Sequence, residues 1–268
     1  MALTVGQGAP AGGASWLKTG QESAQVAKQD QVEAEQRKAE QGKMWRFYLK
    51  DGEEARITFV DGDLSPEGFL LPPRYYEHNL MLNGKWGNTF VCPEKTLPDS
   101  GEKCPICESG DRPSLVAVFT IIDHRTVKSK DGTKTYKDLP RLFVAKGPTF
   151  ELLNKLAQKR GGLAGTTWDA MRAGDKSASV GSAFDFVEKV AVEELRKKYV
   201  HEVTDPKTNQ KTIQSFFVPA NYEHEIVFRT GDQLRQMGLG KPSSAPASGF
   251  GGYGGGQPAG DTDYSTKL

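Results

Sequence analysis

No apolar run in this 268-residue chain approaches the roughly 20 residues of a membrane-spanning helix, and Met1-Ala-Leu-Thr opens no signal-peptide pattern. Both absences set the expectation of an intracellular, reducing location. Cysteine is scarce as well: the chain has three, an odd number that cannot all pair, which argues against the disulfide framework of a secreted domain. An excess of one charge sign is missing too. Thirty-five Lys and Arg against 34 Asp and Glu leave a net charge of +1, so any affinity for phosphate must come from local clustering. Enzymatic signatures are also lacking. Gly161-Gly162-Leu-Ala-Gly165-Thr-Thr has no lysine to reach a bound phosphate. A zinc deaminase needs His-x-Glu and Pro-Cys-x-x-Cys, whereas Asn79-Leu80 follow His78 and Lys103 precedes Cys104. The chain is read as a non-enzyme.

The three cysteines are placed with purpose. Cys104-Pro-Ile-Cys107 sets two thiols two residues apart, close enough to grip one tetrahedral ion. Eleven residues separate Cys92 from Cys104 and thirteen separate His78 from Cys92, each of the two on or beside a short aromatic-rich, strand-like run. Together they read as a Cys₃His site for one zinc ion. Four protein ligands leave no open position, so the site is structural rather than catalytic. His124, which follows another apolar strand, is the rival fourth ligand. A thioredoxin-like redox pair would need a strand-to-helix context that Glu102-Lys103-Cys104-Pro105 does not supply. Pro93, Pro105 and Gly110 mark the connecting segments as loops.

Three regions follow from composition. Residues 1–43 comprise a Gly/Ala/Ser-rich flexible arm to about residue 20 and then a Gln/Glu/Ala/Lys-rich stretch, Glu22 to about Met44, that reads as a solvated helix because Val26 and Val32 are too sparse for a core stripe. Residues 44–238 carry the core, with the zinc subdomain at about 72–112. Residues 239–268, with Gly249-Phe-Gly-Gly-Tyr-Gly-Gly-Gly256, read as a disordered Gly-rich tail. Within the core, Met44–Lys50 alternates apolar with polar or cationic residues, and through Asp51-Gly52 it is expected to pair with Ala55–Val60 as a hairpin. A second hairpin joins Leu115–Asp123 to Leu139–Ala145 around Asp131-Gly132. A helix is predicted from about Thr149 to Arg160, with Phe150, Leu153, Leu156 and Ala157 on one face and a stop at Gly161-Gly162. Ser182 to Glu188 and Ile226-Val-Phe228 read as strands, and Val192–Tyr199 as a short helix or an extended edge. The fold class expected is mainly β with a few helices (α+β), an OB-like barrel with an inserted zinc subdomain.

Aromatic residues are interleaved with cations around the metal segment. Trp45, Arg46, Tyr48 and Lys50, then Arg74, Tyr75 and Tyr76, then Lys85 and Trp86, each combine π faces with positive charge. Arg125, Lys128, Lys130, Lys134 and Lys137, with Tyr136 among them, form the densest basic stretch. Unpaired bases stack on aromatic faces while Lys and Arg track phosphates, so these residues are the candidate contacts of a single-strand groove. Strand alternation turns roughly half of the aromatics into the core.

The order His78, Cys92, Cys104-x-x-Cys107 in a β-rich chain, with Tyr75-Tyr76 just before the histidine, resembles the gene-32-type single-stranded DNA-binding proteins of T-even-like bacteriophages. The resemblance covers roughly Met44 to Phe228. It implies an OB-fold core with a structural zinc, single-stranded DNA as partner, and a role in phage replication, recombination and repair in the host cytoplasm. It further implies cooperative self-association on DNA and replication or recombination proteins met by the C-terminal tail. Two features differ from that pattern: residues 1–20 hold one cation, Lys18, where the family has a basic arm, and Asp261 and Asp263 are balanced by Lys241 and Lys267 where the family has an acidic tail. The alternative reading is a zinc-stabilised assembly or transcription accessory module without a single-strand groove.

Overall fold

The computed structural model describes residues 20, 23, 24, 43–82, 85–129, 131–204 and 211–240, without the side chains of 85, 86, 203 and 204. The chain divides into two units, Met1–Lys43 and Met44–Leu268. Of the first, Gly20, Ser23, Ala24 and Lys43 are described, the first three helical. The expected arm and solvated helix otherwise lie outside the described residues, as does the Gly-rich segment beyond residue 240.

The second unit is built on seven antiparallel strands. In chain order they are β1 (Glu54–Phe59), β2 (Arg74–Leu82) and β3 (Lys85–Val91), then, after the short helices α1 (Pro93–Thr96) and α2 (Pro105–Glu108), β4 (Ser114–Asp123). A two-rung ladder of β5 (Val127–Lys128) and β6 (Thr135–Tyr136) leads to β7 (Leu139–Lys146), helix α3 (Gly147–Arg160), β8 (Thr166–Met171) and β9 (Ala183–Lys189). Pairing runs β3-β2-β4-β1-β8-β9, and β7 also pairs with β4. Strand β4 organises the sheet. On one edge β7 follows it from Val116↔Lys146 to Asp123↔Leu139; the other edge is shared by β2, at Ser114 to Ala117, and β1, at Ile121 to Asp123. Paired on both edges, β4 is buried from Val116 to Asp123, which explains its continuous apolar run in place of alternation.

The central core is aromatic. Phe143 lies 5.4 Å from Phe59 and 5.8 Å from Phe47 between ring centroids, and Trp168, 2% exposed, donates its indole N–H to Thr166 Oγ1 at 2.7 Å. Helix α3 has the end and the face read from sequence and starts two residues earlier than expected, at Gly147. Leu153 and Ala157 are fully buried with Phe150 and Leu156 packed beside them, and Gly161 ends the helix at φ 67°, a left-handed conformation that glycine adopts without a Cβ clash.

The hairpin expected between Met44–Lys50 and Ala55–Val60 does not form. Strand β1 already gives one edge to β4 and the other to β8, so the earlier segment pairs elsewhere. Phe47 N–H reaches Leu142 O and Leu142 N–H reaches Trp45 O, both at 2.8 Å, and Leu49 N–H reaches Ser179 O at 2.7 Å. The alternation itself is present in the fold, since Phe47 and Leu49 are buried while Tyr48 and Lys50 are exposed. Among the described residues no ladder joins β7 to β9, so the sheet is open and the closed ring of an OB barrel is not formed.

The rest of the unit is α4 (Val192–Lys198), the ribbon β10 (Val200–Thr204) and β11 (Lys211–Ser215), α5 (Tyr222–Glu225) and α6 (Gly231–Gln236). Val192–Tyr199 thus takes the helical alternative. Ile226-Val-Phe228 is not a strand: it follows the helical turn α5, whose N-cap is Asn221, and Ile226 packs against the cluster of Tyr75, Val91 and Leu142 instead of entering a ladder.

Candidate metal centre

The β2–β3 hairpin carries one side of the centre. Its register sets His78 opposite Phe90, and Cys92 leaves β3 with its N–H bonded to Tyr76 O at 2.8 Å. The other side is α2. Cys104 is its N-cap, held by its own N–H on Glu94 Oε2 at 3.1 Å, and Cys107 lies within the single turn. Pro93 and Pro105, read as loop markers, each open a one-turn helix, where a missing N–H costs nothing.

The four ligand atoms lie within 4.8 Å of one another, so the cluster can hold a metal ion. His78 Nε2 is 3.3 Å from Cys104 Sγ and 3.5 Å from Cys107 Sγ, and the sulfurs of Cys92 and Cys107 are 3.6 Å apart. Bonds of about 2.3 Å to sulfur and 2.0–2.1 Å to nitrogen around a tetrahedral ion give ligand separations of about 3.5–3.8 Å, close to these. His78, Cys92 and Cys104 are fully buried, while Cys107 keeps some exposure. The rival His124 stands elsewhere, with Nδ1 on Asp138 at 2.5 Å and Nε2 on Thr58 Oγ1 at 2.7 Å.

Electrostatics at the cluster match its donors. His78 donates Nδ1–H to Asp111 Oδ2 at 2.5 Å, which fixes the tautomer and leaves Nε2 to face the sulfurs. Burial acts against the imidazolium, but Cys104 and Asp111 outweigh it and hold the His78 pKa above its usual value. Burial, and then the Cys92 and Cys104 sulfurs, push the Cys107 thiol up. A divalent cation reverses that preference by stabilising thiolates directly.

The C-terminal helix forms a wall of the site. Phe90, Ile106, Leu234 and Leu239 pack with the cysteines in one buried cluster. Gly231 N–H meets Glu102 Oε2 at 3.0 Å, and Arg235 reaches Glu108 at 3.0 Å. A Cβ on Gly231 would stand 2.1 Å from Lys103 O, and one on Gly240 would stand 2.6 Å from Pro105 Cβ, so both glycines are required by close approach. Sequence reading missed this helix, whose signal is the capping box Thr230–Gln233. Order also passes the expected tail boundary, since Leu239 belongs to the cluster.

The nucleic-acid candidates fall into three settings. Tyr75 is 6% exposed, donates to Glu77 and accepts from Arg46, which is itself 2.6 Å from the buried Glu77 carboxylate. Arg125 is likewise engaged, at 2.7 Å from Asp123 and 2.6 Å from Glu53. Half-buried are Trp45, Tyr76, which packs on the metal-side cluster, and Tyr136. Tyr48, Lys50, Arg74, Lys128, Lys134 and Lys137 are exposed, with the Arg74 guanidinium 4.1 Å from the Phe150 ring centroid. Lys130 and the side chains of Lys85 and Trp86 lie outside the described residues. No helix among the described residues is long and apolar enough to cross a membrane. Comparison of the chain with protein families, with curated proteins and with solved structures finds no match.

Proposed function

We propose that this protein binds single-stranded DNA without strong sequence preference, coating and protecting unpaired strands during phage replication, recombination and repair. One structural zinc ion, held by His78, Cys92, Cys104 and Cys107, staples the β2–β3 hairpin to α2 and α6. Three sulfurs and one imidazole in tetrahedral spacing are a donor set that suits zinc. The protein is an OB-like β framework: its open sheet wraps one aromatic core, and the Trp45–Leu49 segment spans from β7 toward the chain before β9.

The observation that carries the nucleic-acid reading is the arm between β4 and β7. Its acids are engaged locally: the exposed Asp131 accepts from Ser129 and Thr133, and the half-buried Asp138 meets His124. Lys128, Lys134 and Lys137 are exposed, and none is paired with a carboxylate among the described residues. The result is a positive projection on a chain whose net charge is only +1. Replacing the three lysines with alanine should make the salt dependence of single-strand binding shallower by about 2, roughly 0.7 for each phosphate that is no longer neutralised. An unchanged slope in a folded triple variant would remove the arm from the interface.

One observation favours the assembly reading. Among the described residues the β10–β11 ribbon pairs only with itself, and it exposes Ile213 at 76% and Val200 at 41%, side chains suited to a protein partner. Absence of single-strand affinity in the intact protein would shift the function to that ribbon.

A further inference from the structure

Among the buried polar side chains of the core, Arg141 stands without a hydrogen-bonding partner. It lies on β7 opposite Ile121, is 9% exposed, and by strand alternation shares a face with Phe143 of the central core. Its guanidinium sits 5.2 Å from the Trp45 ring centroid. Among the described residues it makes no hydrogen bond and no ion pair, yet none of its nitrogens is sealed from solvent.

The acid that acts on Arg141 through space, Asp123, is already committed. Asp123 Oδ2 takes Arg125 Nη2 at 2.7 Å and Oδ1 takes Arg125 Nε at 3.0 Å, while Glu53 takes Arg125 Nη1 at 2.6 Å. Burial lowers the Arg141 pKa, Asp123 opposes the shift and Arg125 adds to it. A packed stem that ends in an unpaired planar fork is poised for an oxyanion, because the ordering that binding would otherwise demand is already in place. The indole beneath the fork holds the guanidinium in place through a cation–π contact.

We infer that Arg141, seated on Trp45, is an anion subsite that takes one phosphodiester of a single nucleic-acid strand. This inference rests on the single-strand reading above and adds a residue that the basic clusters of the sequence did not mark.

The test is fluorescence anisotropy of a labelled thymine oligonucleotide at stepped salt, on wild type, Arg141→Met and Arg141→Lys. Methionine keeps an apolar stem without the charge. Binding by R141M should be weaker by about tenfold, the effect of removing one charge-assisted hydrogen-bonding group, and its salt slope shallower by about 0.7, with an unchanged melting curve. In R141K the slope should stay at the wild-type value while affinity falls, because an ammonium lacks the bidentate fork. Wild-type affinity and slope in R141M would overturn the subsite and leave the single-strand reading standing. Were R141M to lose its fold, R141K decides: reduced affinity at constant slope supports the subsite, and unchanged affinity overturns it. If the wild type binds no strand, the single-strand reading falls and the phosphodiester assignment falls with it. Inorganic phosphate, followed through the Arg141 Nε–Hε resonance, then shows whether an anion site survives: a saturable shift retains one for free phosphate, and no shift overturns it.

Discussion

Cys104 is fully buried, touches His78 Nε2 and caps the helical turn that carries Cys107, so its sulfur links both halves of the metal centre. Cys104→Ser should abolish metal binding and lower the melting temperature of the metal-loaded protein, because metal affinity in such a site is folding free energy. Metal content by mass spectrometry and a thermal melt check this, and unchanged values in both would end the structural-metal reading. Asp111→Ala leaves all four ligands but frees the imidazole, and metal affinity should drop by about 10–100-fold in a chelator competition. A third residue acts away from the metal. Burial pushes the Asp61 carboxyl up to about 6 from the ordinary 3.8, against opposing hydrogen bonds from Tyr222 and the Thr120 N–H. The folded state therefore holds a proton that the unfolded state has lost, so this group's contribution to stability is full below the unfolded pKa and disappears as pH rises through about 6. Asp61→Asn should remove that decline, as read by urea unfolding across the same window; an identical pH profile in the variant would refute the assignment. The four ligands were legible in the sequence because thiols are scarce and their spacing suits one ion. Asp111 was not, since one carboxylate among 34 acids carries no mark of the imidazole it will meet.

At the scale of elements, α6 makes the metal centre depend on a segment more than 120 residues beyond Cys107 in the chain. Leu234→Ala should cost about 2–5 kcal/mol by leaving a cavity against the cysteines, and it should also weaken metal retention. Chelator-driven metal loss measured beside a denaturant melt tests the coupling; a destabilised variant with wild-type metal affinity would separate α6 from the centre. Elements written in local pattern were readable. The β4–β7 hairpin announced itself through Asp131-Gly132 and two apolar runs, and α3 through a proline start, a glycine stop and an apolar stripe. Elements whose partners lie far along the chain were not. Met44–Lys50 has strand alternation, but β8, invisible as a pattern in Thr-Thr-Trp-Asp-Ala-Met, claims the edge of β1 that a hairpin would have used. Ile226-Val-Phe228 has β-forming residues but enters no ladder among the described residues: Ile226 packs against the Tyr75 and Leu142 cluster, while Phe228 is exposed.

For the whole molecule, a nearly neutral chain can engage a polyanion only if its charges are sorted in space. Structural pairing does the sorting: Arg46 and Arg125 are consumed by Glu77, Asp123 and Glu53, while Lys128, Lys134 and Lys137 project without acidic partners among the described residues. Counting cations along the sequence cannot separate these two groups, since only the fold decides which carboxylate each one meets. The most direct test is tryptophan fluorescence of the intact protein titrated with a thymine oligonucleotide and, separately, with duplex of equal length, at two salt concentrations. Strong quenching by the single strand alone, weakening steeply as salt rises, is the expected result. Equal response to duplex, a flat salt dependence or no response to either would contradict single-strand binding.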